Sequence, residues 1–234
     1  MVGRGVEREV VLLGGFELRD RGRVVWLPRA LERLVALLAL SDGAMLRSTV
    51  AGTLWPETTE DRARANLRSL LARLRRFDSR IVQASNGTLA LRSSASVDYR
   101  ASLSQARRLL AHTADSASDS DLVAEPLCAD LLPGWDEEWV IVERDIFREL
   151  RIRALEALAE RLIAAGDLAM AGSAALRAVS ADPLRETARA VLMRVYLAEG
   201  NRIQAARQYC SYEELVMEEL GVEPSDHLQK LLRA

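Results

Sequence analysis

The feature that most constrains the fold is a 34-residue repeat in the second half of the chain. Gly166 and Gly200 lie 34 residues apart, and each heads a similar turn, Ala165-Gly-Asp167 and Glu199-Gly-Asn201. This is the period of tetratricopeptide helix pairs, whose small residues let paired helices approach. The other matching positions are Leu158, Leu162, Ala171, Ala178 and Pro183 in one copy and Leu192, Tyr196, Ala205 and Tyr209 in the next. The repeat predicts a short helical solenoid, with unrelated helices at a coincidental spacing as the alternative.

The first half begins with short segments rich in β-branched and aromatic residues. Residues 9–13, 16–18 and 24–27 are separated by Gly14-Gly15 and by a polar turn containing Gly22. Such short runs between glycines predict a small antiparallel sheet.

Three helices and a hairpin are predicted to follow. Pro28 opens the first helix, Ser48 caps the second, and Thr58–Asp61 begins a third that reaches about Phe77. Residues 80–83 and 88–92 then flank Asn86-Gly87, a strong hairpin signal because both residues tolerate positive φ.

Strands, three helices and a hairpin in this order are the layout of a winged helix. We therefore predict an α+β N-terminal winged helix followed by an all-α, tetratricopeptide-like helical repeat domain. The Ser-rich stretch at residues 93–96 marks the predicted boundary, which divides the chain into residues 1–96 and 97–234.

The two halves carry opposite net charges. Residues 1–98 contain 16 basic and 11 acidic side chains, a net charge of +5, whereas residues 99–234 contain 16 and 23, a net charge of −7. This asymmetry indicates that only the first half is suited to a polyanionic partner.

The third helix concentrates that positive charge. Seven arginines lie between residues 62 and 80, against the single acid Asp78. On a helical wheel the apolar side chains fall on one side, and these are Ala63, Leu67, Leu70, Leu71, Leu74 and Phe77. The arginines repel one another unless an anion neutralises them, which favours duplex DNA as the partner. A solvated amphipathic helix without any nucleic acid is the alternative.

The candidate DNA-binding residues lie on three elements. The third helix supplies Arg62, Arg64, Arg68, Ser69, Ala72, Arg73, Arg75 and Arg76. Arginine donates in a fork to guanine in the major groove, and the small side chains allow close approach. Ser48 and Thr49 at the start of the second helix are candidates for phosphate, because free backbone N–H groups there favour anions. Asn86 at the hairpin tip is a further candidate.

Several short motifs along the chain resemble those of one known family. They are Leu13-Gly-Gly-Phe-Glu17, Leu54-Trp55, Arg64-Ala-Asn-Leu-Arg68, Leu74-Arg-Arg76, Leu132-Pro-Gly-Trp135 with Trp139 and Glu143-Arg144, and Glu219-Leu-Gly-Val-Glu-Pro-Ser225. In these the chain resembles the SARP regulators of antibiotic pathways, which join an OmpR-type winged helix to a bacterial transcriptional activator domain.

The resemblance implies a function as a transcriptional activator of a biosynthetic or secondary-metabolite pathway. It implies a homodimer on directly repeated promoter sites and recruitment of RNA polymerase. It places five residues against DNA, namely Arg68, Ser69, Ala72, Arg73 and Arg75. The sequence has no G-x-x-x-x-G-K-[ST] loop, so we expect no ATPase module, and we expect no receiver domain.

Composition argues against other classes of protein. The longest apolar run, Leu34–Leu40, is too short to cross a bilayer, and residues 1–9 lack the apolar core of a secretory signal, so we expect a cytoplasmic protein. Cys128, Cys210 and the two histidines have no metal-ligand spacing, so we expect no metal or other cofactor.

Two rival functions remain from the sequence. An enzyme is disfavoured because the acidic cluster at residues 136–138 has no paired nucleophile or histidine. A protein-interaction scaffold is the second rival, which the basic first half disfavours. Trp135 and Trp139, four residues apart, are either a ligand-stacking pair or interdomain core.

Overall fold

The computed structural model describes residues 8–77, 81–111, 124 and 127–233. Arg80, the predicted start of the hairpin, lies outside these residues. The described chain forms two compact units, one comprising Met1–Ala101 with Ala129–Arg144 and the other Ser102–Cys128 with Asp145–Ala234.

The first unit is a winged helix. Its elements in chain order are β1 (Arg8–Val11), β2 (Glu17–Asp20), β3 (Arg23–Val25), α1 (Arg29–Leu40), β4 (Met45–Leu46), α2 (Arg47–Leu54), α3 (Glu60–Phe77), β5 (Val82–Ser85), β6 (Thr88–Leu91) and β7 (Ala95–Val97). These strands form a four-stranded sheet in the order β3-β2-β1-β7 and a three-stranded sheet in the order β4-β6-β5. The predicted fold class is confirmed.

The predicted antiparallel sheet is confirmed for β1, β2 and β3. Two strands were missed. Strand β7 falls where the sequence suggested a boundary, and it pairs in parallel with β1, which is distant in sequence. Strand β4 has two residues and pairs with β6 of the hairpin. Strands this short carry no alternation of their own, so their long-range partners determine them.

Local signals fix the helix ends and the hairpin turn. Helix α1 starts at Pro28, its N-cap, as predicted, and Ser41 is its C-cap. Asn86 and Gly87 have φ values of 45° and 77°, so the two-residue turn between β5 and β6 is confirmed.

A half-buried carboxylate, that of Asp98, joins the end of β1 to the residue that follows β7. Asp98 Oδ1 accepts hydrogen bonds from the backbone N–H of Leu12 at 2.9 Å and of Tyr99 at 2.7 Å, and Oδ2 accepts from Leu13 at 3.0 Å. Burial raises the pKa of Asp98, and these three hydrogen bonds offset part of that rise. The carboxylate satisfies N–H groups where β1 ends.

Residues 129–144 return to the first unit. The N–H of Gly14 donates to the carbonyl of Asp130, and the N–H of Leu132 donates to that of Leu12, each at 2.8 Å. The buried Trp135 ring lies 6.0 Å from Phe16, and the Arg29 guanidinium lies 3.6 Å from its centroid. Trp135 is therefore a core residue of this unit, and the stacking-pair reading is wrong for it.

The two units differ from the predicted segments 1–96 and 97–234. Residues 129–144 pack with the first unit because their backbone bonds to residues 12–14. As a division into functional domains, the boundary at residue 96 stays a prediction.

The second unit is helical in its described residues. After α4 (Asp98–Ala111) and α5 (Glu138–Ala165), which contribute residues to both units, come α6 (Leu168–Ala181), α7 (Glu186–Ala198), α8 (Arg202–Leu220) and α9 (Asp226–Arg233). Helices α6, α7 and α8 pack in succession, and α9 packs on α7 and α8. The predicted alanines Ala171, Ala178 and Ala205 are fully buried at these contacts.

The two repeat turns have the same hydrogen bonds. At the first, Gly166 N–H donates to Ile163 and Asp167 N–H to Leu162; at the second, the residues 34 positions later make the same bonds. Gly166 and Gly200 have φ values of 81° and 75°, which glycine adopts without strain. Asp167 and Asn201 then cap the next helix with their side chains. The repeat is confirmed as two equivalent Schellman turns.

Removing the Asp98 carboxylate should destabilise the first unit. Asp98→Ala leaves the part-buried N–H groups of residues 12 and 13 without their acceptor, and we expect a loss of about 1 to 3 kcal/mol in the free energy of unfolding. Denaturant titration measures the loss. Asp42→Ala, at an exposed turn residue, is the matched control, and an equal effect of both substitutions would contradict the role of Asp98.

The raised pKa of Asp98 predicts the direction in which stability changes with pH. Because its pKa is higher in the folded protein, the unfolded chain loses its proton first as the pH rises. The wild type should therefore lose stability relative to Asp98→Asn over the pH range just above the ordinary Asp pKa of about 3.9. Unfolding of both proteins across this range checks the prediction, and a constant difference would refute it.

Candidate nucleic-acid interface

Helix α3 is held in place by one apolar face. Ala63, Leu67, Leu70 and Leu74 are all buried, with spacings of four, three and four residues, and the helix packs against α1 and α2. Two residues predicted for this face differ, since Leu71 is half-buried and Phe77 is 49% exposed. With 18 residues, α3 is longer than the 8-residue α2, so its last turn has less to pack against.

The candidate DNA-binding residues of α3 are all exposed, whereas Ala65, which the helical wheel places on the same face, is half-buried. The exposed residues are Arg62, Arg64, Arg68, Ser69, Ala72, Arg73, Arg75 and Arg76. Fixing the leucine face in the core fixes the direction of this surface, because both belong to one rigid helix. The wheel therefore predicted the exposure of the whole set.

One arginine of α3 is neutralised within its helix. Arg64 forms an ion pair with Glu60 at 2.5 Å, one turn earlier. The other five arginines of the face have no ion-pair partner within the part of the chain that the structure describes. Exposed guanidinium groups at this density raise the local positive potential, which attracts a polyanion.

The start of α2 differs from its predicted form. Leu46 occupies the N-cap position without a side-chain cap, α2 begins at Arg47, and Ser48 lies in the first turn. The predicted cap at Ser48 is wrong because Leu46 is paired with Thr88 in β4, and the chain enters the helix directly from that strand. Ser48 and Thr49 are nevertheless exposed in the first helical turn, where backbone N–H groups lack intrahelical partners.

A concave surface joins α2, α3 and the hairpin. The N–H of Arg47 donates to the carbonyl of Gly87 at 3.0 Å, which ties the hairpin turn to the start of α2. The concavity is lined by Arg47, Ser48, Arg64 and Arg68, together with Leu46, Leu67, Leu71 and Gly87. The structure thus brings together three of the predicted residues, Ser48, Arg64 and Arg68.

The other predicted residues do not line this concavity. Thr49 on α2 and Asn86 at the hairpin tip are exposed, and the remaining candidates continue along α3. Arg47 was missed by the sequence analysis. The signal that could have found it is a basic residue directly before Ser48, but the predicted N-cap at Ser48 lies two residues after the observed one at Leu46.

This surface can bind an extended anion in two ways. Guanidinium groups donate two parallel hydrogen bonds to phosphate or to guanine, and helix-terminal amides donate to phosphate. The contacts of the individual residues with nucleic acid stay predictions.

The second half of the chain matches a known domain. Residues 100–234 match the model of the bacterial transcriptional activator domain, which is more than half of the chain. The chain is 30% identical over 212 residues to the regulatory protein AfsR of Streptomyces coelicolor, an alignment that covers 85% of this chain and 21% of that protein. It is 29% identical over 238 residues to AfsR of Streptomyces griseus, covering 94% and 23%. The chain thus spans about a fifth of the length of these relatives.

A solved structure has the same fold. Mycobacterium tuberculosis EmbR, in complex with a low affinity phosphopeptide, superposes with a TM-score of 0.76 at 19% sequence identity. The superposition covers 97% of this chain and 64% of the EmbR chain. At this identity the likeness concerns the fold. In the described residues, no helix is both long and apolar enough to span a lipid bilayer.

The buried leucines of α3 should determine the stability of the fold. Leu67→Ala or Leu74→Ala removes buried volume, so we expect a loss of about 2 to 5 kcal/mol in the free energy of unfolding. Phe77→Ala, on the same helix but half exposed, is the control and should change stability by about 0.5 kcal/mol or less. Thermal or denaturant unfolding distinguishes them. Equal losses for all three would mean that Phe77 is part of the core.

Proposed function

The chain belongs to the SARP family of transcriptional regulators, and on this premise we propose that it activates transcription by binding duplex promoter DNA through α3. The observation that carries the proposal is the arginine face of α3, exposed along its whole length while the leucine face is buried. A helix anchored in this way can enter the major groove as a rigid element.

In this proposal, residues in the middle of α3 recognise the bases. Arg68 and Arg73 are exposed next to the small side chains Ser69 and Ala72, which let the helix approach base edges. Arg62 and Arg76 lie nearer the ends of the face, where phosphates are closer. Ser48, Thr49 and Asn86 are proposed to contact the backbone beside the groove.

The proposed dimer on DNA and the recruitment of RNA polymerase rest on the family resemblance. One winged helix contacts few base pairs. Two copies on directly repeated half-sites would raise the affinity for the specific site well above that for other DNA. We propose that the DNA-bound dimer recruits RNA polymerase in the cytoplasm, at promoters of a biosynthetic or secondary-metabolite pathway.

Two acidic residues of the segment that begins with the acidic cluster, Glu137 and Glu143, have structural partners. Glu137 lies 2.9 Å from Arg33 Nε and 3.2 Å from an Arg29 nitrogen, and Glu143 accepts a hydrogen bond from the hydroxyl of Tyr99. These pairs hold residues 137–143 in the first unit. Structural contacts therefore account for these two carboxylates without a catalytic role.

Selection of duplexes from a randomised library tests the proposal with the purified full chain. We expect enrichment of a directly repeated motif, and an affinity whose logarithm falls linearly with the logarithm of salt concentration, because arginine–phosphate contacts release counterions. A selection that enriches no motif would contradict sequence-specific binding.

The arginines of α3 should divide into two classes. At least one of Arg68→Ala and Arg73→Ala should cost about 1 to 3 kcal/mol on the selected site and relax the preference at one base position. Arg62→Ala and Arg76→Ala should weaken binding to all sequences alike and reduce the salt slope by about one each. Binding to a panel of single-base site variants measures both effects.

The matched control is Arg207→Ala, an exposed arginine of α8 in the second unit, which should leave affinity and salt slope unchanged. If Arg68→Ala and Arg73→Ala each lose affinity equally for every sequence, α3 only positions the protein on the backbone, and the sequence is read through DNA shape.

The spacing of the half-sites should control cooperativity. Two copies on the same face of the duplex require half-sites about one helical turn apart, roughly 10 to 10.5 base pairs. Inserting about half a turn places one copy on the opposite face and should abolish cooperative binding while each half-site is still bound. Footprinting of the two duplexes compares them, and unchanged cooperativity would argue against contact between neighbouring copies.

A further inference from the structure

The edge of the four-stranded sheet carries an exposed tryptophan. Strand β3 is an edge strand, and Trp26, directly after it, is 85% exposed, with Val24 of the same strand 47% exposed. A large apolar side chain this open to solvent beside an edge strand favours association, because edge strands also present unpaired backbone groups.

The first unit also contains an open pocket with aromatic and cationic walls, which we call the Trp139 pocket. It is lined by Arg33 of α1, by Pro56 after α2, and by Glu138, Trp139 and Val142 at the start of α5. Its volume is about 500 Å³, within the range that accepts a large side chain or small ligand. Val142 at its wall is 54% exposed. Because Trp26 is so exposed, it does not fill this pocket in its own copy.

The chemistry of the pocket complements that of the β3 edge. Trp139 Nε1 is buried and has no hydrogen-bond acceptor among the described residues. An unpaired buried donor is costly. Because the atom is closed to solvent in one copy, a backbone carbonyl of an edge strand would reach it only after a movement of the pocket wall on docking. The Arg33 guanidinium and the Pro56 ring are surfaces against which an indole packs well.

The charges around the two surfaces are opposite. Arg21 and Arg23 are exposed in the turn and strand that lead to Trp26. Asp136 and Glu138 are exposed beside the Trp139 pocket, and neither has an ion-pair partner within the described part of the chain. Complementary charges of this kind steer encounter and fix the register of an interface.

We propose that the β3 edge of one copy docks, through Trp26, in the Trp139 pocket of a second copy. Both halves of the contact lie in the first unit, so the contact joins winged helix to winged helix. A single buried tryptophan with a charged rim is a common centre of binding energy. The contact area is small, so it is a weak interaction that becomes effective when DNA holds two copies together. The inference gives a surface to the dimer of the proposed function but is testable without DNA.

Site-specific photo-crosslinking of the full chain tests the contact directly. Benzoylphenylalanine replaces Trp26, and a mixture of ¹⁴N- and ¹⁵N-labelled copies separates links between copies from links within one copy by mass spectrometry. We expect links between copies to residues of the Trp139 pocket, which increase with protein concentration. Links within one copy, links elsewhere, or no links would overturn the proposal. Links to added RNA polymerase, with none between copies, would assign the surface to the polymerase and also overturn it.

Charge exchange keeps the test independent of folding defects. Arg23→Glu and Glu138→Arg should each weaken the cross-link between copies, and the double variant should restore it, whereas damage to the fold would accumulate. Ile203→Ser, at a residue 70% exposed on α8, removes an exposed apolar side chain elsewhere and is the matched control for Trp26→Ser, the variant used in the binding test below. Failure of the double variant to recover the cross-link would refute the proposed pairing of charges.

Binding to one-site and two-site duplexes obtained from the library selection separates this inference from the proposed function. Trp26→Ser should bind a single half-site with unchanged affinity, because Trp26 is not part of the α3 surface. On the two-site duplex, the cooperativity, about 5- to 150-fold for a typical coupling, should fall to one. Loss of binding to the single site would contradict the assignment of Trp26 to a contact between copies. Failure of the wild type to bind either duplex would instead contradict DNA binding.

Discussion

The Asp98 carboxylate is the interaction on which the arrangement of the first unit depends. Its two oxygens satisfy three backbone N–H groups, two of them at the end of β1. This position is where β7 returns to the sheet and where residues 131 and 132 approach residues 12 and 13. Without an acceptor there, the backbone N–H groups at this strand end would lose their hydrogen bonds to water and gain none in the protein. The packing of such short strands would not readily offset that loss of free energy. Burial of the carboxylate itself is unfavourable, as its raised pKa indicates, and three hydrogen bonds make it tolerable.

Local and periodic signals were sufficient for most of the fold. The cap at Pro28, the Asn86-Gly87 turn and the repeat at Gly166 and Gly200 each depend on a few neighbouring residues, and the structure confirms all of them. What the sequence could not reveal depends on partners far along the chain. Strand β7 has three residues and exists because β1 is beside it, and the packing of Trp135 depends on Phe16 and Arg29.

In the candidate site, too, local signals predicted some features and contacts between distant residues determined the others. The helical period predicted which residues of α3 are exposed, because a single buried stripe fixes the rest of the helix. The period could not show that Arg64 pairs with Glu60 or that Phe77 extends beyond the core. It also could not place Arg47 at the concavity, since that position depends on a strand of two residues paired with the hairpin. Fine geometry at the surface therefore came from tertiary contacts that have no local sequence signal.

The return of residues 129–144 to the first unit has a consequence for the order in which the protein matures. During synthesis the strands and helices of the winged helix leave the ribosome long before Leu132 and Trp135 do. Until those residues arrive, the Leu12 carbonyl lacks its partner and the apolar surface around Phe16 lacks the Trp135 ring. Domains usually fold as units while the chain is being made, beginning at the N-terminus. In this chain the N-terminal unit cannot be complete until α4 and the residues up to Trp135 have also been translated. A ribosome that stalls before that point leaves an unfinished regulator rather than a free DNA-binding domain.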